Sequence, residues 1–447
     1  MTQNPNLGPQ FTTDHLRPAL EYIDRYWDRL EKYKPHDDGT LVGMPRPYFV
    51  PSASTGTGFA FEEIYYWDTF FTAQGFIGTP REYLMKGLAE DLMSLMKRFS
   101  IIPNSGRMYH TSRSQPPFLT SFILQVYTQD KNKRWLRESM DVAKEEYRTV
   151  WMGVAQPNWR QVFNGLSRYY DINVLDDLAE AESGWDMTTR FDRQALSYLP
   201  VDLNALLYKY EKDFEEAARI LGDVEEAGDW SKRATKRKLM MRKYLWDEEK
   251  GFYFDYNFMT GKHSQVWSVA GFFPMWAGMD EPEVAARVMG HLDKFEFEGG
   301  LSTTAAKPHI KMSMPTQWAY PNGWAPLQLI CIEAMERHGF RDDAERVARK
   351  WLNGNLVHFE QHGEFIEKYN VVNIKEEPAD GLYPGQAGFG WTNAVFVRLA
   401  KTFLTPEELP NITSVHSRNS IRNVLREPRA KLRQVGAKLN RFAPGGE

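Results

Sequence analysis

Along the chain, charged amphipathic stretches alternate with nearly uncharged aromatic ones. Apolar residues recur at helical spacing through 13–33, 81–99, 131–148, 223–245, 281–293 and 341–353. Each is followed by an apolar run, at about 68–76, 117–128, 201–210, 266–277, 324–335 and 391–402. A helix apolar on one face covers a core from outside, whereas a helix apolar all round must be buried. The six pairs therefore predict an all-α fold with an inner ring of helices inside an outer one, an (α/α)6 barrel or toroid. Strand signals are few. Thr79-Pro80-Arg81-Glu82 and Thr405-Pro406-Glu407-Glu408 have the layout of capping boxes with proline at the first helical position. With short connections, successive helices run antiparallel and the inner helices share one direction, so the loops leading into them gather at one end of the barrel. An active site is expected there.

Composition narrows the partner. At 447 residues the chain is long enough for two domains, but α-barrels run large as single units, and residues 1–404 are expected to form one barrel. Residues 405–447 form a basic extension: from Ser414 onward there are eight Arg and Lys against two Glu, most simply a solvated or docked helix. A net charge of −4 offers no global field for nucleic acid or an anionic membrane, so a small neutral partner is expected. No apolar run approaches a membrane span, and the N-terminal residues lack a charged-then-apolar leader pattern, so a cytoplasmic protein is expected. The one cysteine, Cys331, lies in an apolar helical run and points to neither a disulfide framework nor thiol chemistry. Nothing in the sequence sets the oligomeric state.

The unusual residues sit in the loops before the inner helices. The stretch from Pro315 to Ile330 places Trp318, Trp324, Tyr320, Gln317 and Asn322 ahead of an apolar helix, a combination suited to stacking on a sugar ring and bonding its hydroxyls. Similar clusters precede the first, second and sixth inner helices, at Phe61 to Asp68, Pro103 to Pro117 and Glu367 to Trp391, and Ser183 to Asp186 lies well upstream of the third.

Several of these segments stand in the order of the signature blocks of the family 37 glycoside hydrolases, the trehalases. They are Tyr65-Tyr66-Trp67-Asp68, Ser112-Arg113-Ser114-Gln115-Pro116-Pro117, Glu182-Ser183-Gly184-Trp185-Asp186, Gln317-Trp318, Pro321-Asn322-Gly323-Trp324, Glu367-Lys368-Tyr369-Asn370 and Gly388-Phe389-Gly390-Trp391. The chain resembles that family from about residue 57 to 404. The resemblance implies an α/α barrel that hydrolyses an α-glucoside with inversion, without a cofactor. Asp186 then matches the general acid and Glu367 the general base. Trp67, Asp68 and Trp318 match residues that hold the cleaved sugar, and Asn104 and Arg113 match other polar contacts. Phe61, Tyr65, Gln115 and Trp391 complete the expected substrate-binding set. On the residues alone, Asp186 follows Gly184 and Trp185 in an uncharged setting, where desolvation raises a carboxyl pKa, and Glu367 neighbours a lysine.

The chain also departs from the family pattern. Ala60 stands where the family has an arginine, Ala319 replaces the aspartate of Gln-Trp-Asp, and Leu382 replaces a lid glutamate. An Arg-Pro-Glu-Ser-Tyr segment is missing between Tyr170 and Asp186. The resemblance assigns these positions mainly to the departing sugar, which implies an α-glucoside with a leaving group other than that of trehalose. A non-catalytic sugar-binding barrel is the alternative, although a pure binder has no need of an acid and a base. His358 and His362 lie four apart with acids nearby, but no helix is implied across Gly363 and the zinc-protease order of Glu and His is absent, so no metal is expected.

Overall fold

The computed structural model describes residues 8–53, 61–306, 316–379, 381 and 385–410. Its helices are α1 (Thr13–Leu30), α2 (Tyr66–Gln74), α3 (Leu84–Phe99), α4 (Leu119–Asp130), α5 (Lys133–Glu146), α6 (Asp176–Glu182), α7 (Val201–Leu221), α8 (Val224–Tyr244), α9 (Phe273–Trp276), α10 (Pro282–Met289), α11 (Ala325–Arg337), α12 (Arg341–His362) and α13 (Gly390–Phe403). Strands among the described residues are two or three residues long, so the fold is all-α.

The predicted inner runs become α2, α4, α7, α9, α11 and α13, and neighbours pack in sequence: α4 on α7, α7 on α9, α9 on α11, α11 on α13 and α13 on α2. Between α4 and α2, Phe70 stacks on Phe118 at 4.6 Å and meets Phe122 edge-on at 6.0 Å. All nine residues of α2 are buried, as an inner helix requires. The amphipathic helices pack against these: α3 on α2 and α4, α5 on α4 and α7, α8 on α7, α12 on α11 and α13, and α1 on α13 and α12.

Three elements differ from the sequence expectation. The run 266–277 is a 3-10 turn, Val269–Phe272, followed by the single turn of α9. A Cβ at Gly271 would stand 2.3 Å from the Phe252 ring, so the chain packs there by close approach in place of a long helix. Helix α7 continues past its apolar half, burying Glu211 and Asp213. Arg237 pairs with Glu211 at 2.9 Å, and Thr120 and Ser121 donate to Asp213, satisfying charges that the sequence pattern places on a surface. Neither capping box starts a long helix. Thr79 accepts from the Arg81 amide within a turn and α3 begins at Leu84, while Glu408 accepts from the Thr405 amide at 2.9 Å in a single turn.

Candidate active site

The loops leading into the inner helices enclose a cavity of about 410 Å³. Phe61, Tyr65, Trp67, Asp68, Asn104, Arg113, Gln115, Asp186, Trp318, Glu367 and Trp391 all line it, so the structure brings together the whole expected catalytic and substrate-binding set. Gln317, Tyr320, Asn322 and Trp324, also suited to a sugar by sequence, are not in its lining: the Asn322 side-chain amide and the Trp324 indole donate to the Gln317 carbonyl. His110, Phe389, Gly184, Ala181 and Pro51 also line the cavity. His110 belongs to no matched block, and only its place in the Pro103–Pro117 loop hinted at it.

Each wall is held by bonds between loops. Tyr65 is the N-cap of α2, which puts Trp67 and Asp68 in the first helical turn; Asp68 therefore points a carboxyl into the cavity without acting as the cap. The Trp67 amide donates to Gln115 Oε1 at 3.0 Å, and the Asn104 amide to the Arg113 carbonyl at 2.9 Å. Buried Glu182 accepts from the Ser114 and Tyr170 amides, both at 2.7 Å, and pairs with Arg160. The loop between α3 and α4 is thereby tied to the segment that leads to Asp186.

The Asp186 loop turns at Gly184, whose φ is +72° and where a Cβ would lie 2.6 Å from the Trp67 ring; only glycine fits both conditions. Beyond it, Gln317 Nε2 donates to the Asp186 carbonyl at 2.7 Å, and the Trp318 amide to the Met187 carbonyl at 3.1 Å. Glu367 precedes the strand Lys368–Asn370, which pairs antiparallel with Asn322–Trp324. Its carbonyl accepts from Trp391 Nε1 at 3.1 Å.

The indoles form one cluster. Trp318 stacks on Trp324 at 3.7 Å and 5°, lies against Trp185 at 5.8 Å and 24°, and meets Trp67 at 5.6 Å. Trp318 is thus packed among indoles and still lines the cavity. Arg113 is likewise engaged, since its guanidinium pairs with buried Asp171 at 3.3 Å. Asp171 lies in the short connection where the family segment is missing.

The acids of the cavity have unlike surroundings. Burial pushes Asp186 up to about 7, with the charge of Glu367 adding; its own amide, Arg113 and Lys368 oppose the shift. Asp68 is held well above the usual carboxylate range, first by burial and then by Glu367 and Asp186. Glu367 Oε2 lies 3.3 Å from the Lys368 ammonium, both side chains being buried. Next to the Asp186 loop, Glu180 is pushed up to about 8, mainly by burial, although the Thr188 amide donates to it at 2.6 Å. His110 is lowered to about 4 by burial and by Arg113, so its ring is neutral near pH 7, and Ser105 Oγ lies 2.6 Å from its Nδ1. Of the departures, Ala319 is buried beside Trp318; Ala60, Leu382 and the basic tail from Ser414 lie outside the described residues.

A helical fold whose loops enclose buried carboxyls among indole rings defines a protein with a glycosidase-like pocket. The sequence profile of the Trehalase family matches residues 2–180 and 175–403, and the chain belongs to that family. The cytosolic neutral trehalase of Neurospora crassa is 33% identical over 479 aligned residues, covering 88% of this chain and 62% of that protein. The chain thus spans less than two thirds of that relative's length. Among solved structures, neutral trehalase Nth1 of Saccharomyces cerevisiae superposes with a TM-score of 0.72 at 27% identity, over 87% of this chain and 80% of that one. A GH63 mannosylglycerate hydrolase from Thermus thermophilus, in complex with glucose, shares the fold, with a TM-score of 0.64 at 17% identity over 85% of this chain and 99% of that one. Among the described residues no helix is long and apolar enough to cross a membrane.

Proposed function

We propose that the chain is an inverting α-glucoside hydrolase of trehalase type. Asp186 delivers a proton to the glycosidic oxygen, the bond to the anomeric carbon breaks with its electrons going to that oxygen, and water attacks the opposite face as Glu367 takes its proton. The observation that carries this reading is the presence in one cavity of two acids with opposite surroundings. Asp186, pushed up to about 7, keeps a proton to give near neutrality, while Lys368 beside Glu367 favours the ionised base. The carboxyls are expected to stand roughly 6.5–9.5 Å apart, leaving room for the water.

The cleaved glucosyl unit is held by Trp67, Asp68 and Trp318, with Asn104, Arg113 and Gln115 as further polar contacts and Phe61, Tyr65 and Trp391 completing the walls. The sequential packing of the six inner helices supports a closed (α/α)6 barrel over residues 1–404, with 405–447 as an appended extension. The name of the Neurospora crassa relative supports a cytoplasmic location.

The substrate is an α-glucoside whose leaving group is smaller than, or differently linked from, the second glucose of trehalose. Ala319 and the missing segment remove polar contacts from that side, and a site deprived of such contacts discriminates against the ligand that needs them. The test is kcat/KM on trehalose, α-glucosyl glycerol, α-glucosyl glycerate and the 1→2, 1→4 and 1→6 disaccharides. A substrate other than trehalose is expected to lead. Trehalose ahead of all others by about tenfold would discard the leaving-group reading, and binding without turnover of any would make the protein a sugar-binding one.

A further inference from the structure

Outside the cavity, two histidines and an acid converge. Helix α12 runs unbroken to His362 and ends at Gly363, whose φ is +74°. The helix does not cross Gly363, as the sequence implies, but it carries both histidines: His358 and His362 are one helical turn apart on the same face, with ring centroids 4.4 Å apart. The chain then returns through residues 371–379 and brings Glu377 back to them, its Oε1 3.9 Å from His362 Nε2. One ligand atom from each of the three lies within 4.8 Å of the other two.

We propose that His358, His362 and Glu377 bind a divalent transition ion of the zinc class. Imidazole nitrogens four apart on a helix, joined by one carboxylate, are a donor set suited to Zn²⁺, Ni²⁺ or Cu²⁺. Donor atoms on a tetrahedral zinc stand about 3.4 Å apart, from bond lengths near 2.1 Å. The remaining closure is within reach of the exposed side chains of His362 and Glu377, which turn without disturbing the core. His358 is held from behind, edge-on to Tyr369 at 5.6 Å. The site lies at the C-terminal end of a 22-residue helix, where the helix dipole favours a cation.

The three donors come from two segments with separate anchors. Asn370 Oδ1 accepts from the Val372 and Asn373 amides, and Asn322 exchanges bonds with Ala379, donating to its carbonyl at 3.3 Å and accepting from its amide at 2.9 Å. The loop bearing Glu377 is thus held at both ends by the strand pair next to Glu367. A bound ion would join α12 to that loop, a cross-link made by side chains on the protein's exterior.

The test is titration of the purified full chain, stripped with chelator, with Zn²⁺ alone by calorimetry, together with thermal unfolding with and without the ion. One saturable equivalent per chain and a zinc-dependent rise in Tm are expected. His362→Ala and Glu377→Gln, both at exposed positions, are expected to weaken that binding by at least about tenfold and to abolish the rise in Tm. Glu360→Gln, two residues from each histidine and so on another face of the helix, where it pairs with His15, is expected to bind like the parent. No saturable binding, or affinity unchanged in His362→Ala, would overturn the proposal, and neither readout depends on hydrolysis.

Discussion

Asp186 and Glu367 reach the same cavity on different supports. The Asp186 loop is pinned through its backbone, by Gln317 on the Asp186 carbonyl and by Trp318 on Met187, while the carboxyl itself faces burial and a neighbouring negative charge. Glu367 is also pinned through its carbonyl, by Trp391, but its carboxylate has the Lys368 ammonium beside it. Two like side chains thus meet unlike surroundings, burial raising the pKa of one and an ammonium standing beside the other, the kind of difference that the proposed acid and base require.

Removing either carboxyl is expected to have the largest effect. Asp186→Asn and Glu367→Gln are each expected to lower turnover by about 10²–10⁴-fold on the best substrate, with the fold intact by circular dichroism. The double variant should lose little more than the worse single one, because the two act as a unit. Near-parental turnover in either variant would remove it from its role.

A smaller effect tests the cause of the asymmetry. The rate profile should be bell-shaped, falling above about pH 7 as Asp186 loses its proton. Lys368→Met takes away the cation that favours ionised Glu367, so the acidic limb should move upward by about one unit while the alkaline limb moves less. An unmoved acidic limb would mean that Lys368 does not set the state of the base.

The smallest effect is on stability. The folded-state pKa of Asp186 is raised from the ordinary carboxyl value of 3.8 to about 7, so the folded chain holds this proton more tightly than the unfolded chain does. The stability associated with it is present below the unfolded value, declines as pH rises through that window, and is lost above about 7. Asparagine carries no such dependence. Asp186→Asn is therefore expected to raise Tm by about 2 °C at pH 8 and by much less at pH 4. An equal change at both pH values would argue that burial does not perturb this carboxyl.

The helical pattern was legible because burial dictates composition: a helix such as α2, enclosed on all sides, has to be apolar and aromatic throughout. The run that became α9 was less so, since an apolar stretch with Gly271 and Pro274 reads alike whether it makes one helical turn or three. The lining of the site was legible through its blocks of aromatic and polar residues. What those residues touch was not. The stacking of Trp318 on Trp185, the capture of Arg113 by Asp171, and the return of Glu377 to the histidines of α12 all join residues distant in sequence, and no local spacing encodes them.

Inversion requires water to attack from the face opposite the leaving group, and the anomer first formed reports this directly. Proton NMR in the opening minutes of hydrolysis of the best α-glucoside is expected to show β-glucose appearing first and mutarotating afterwards. α-Glucose as the first product would contradict the assignment of Glu367 as a base acting through water.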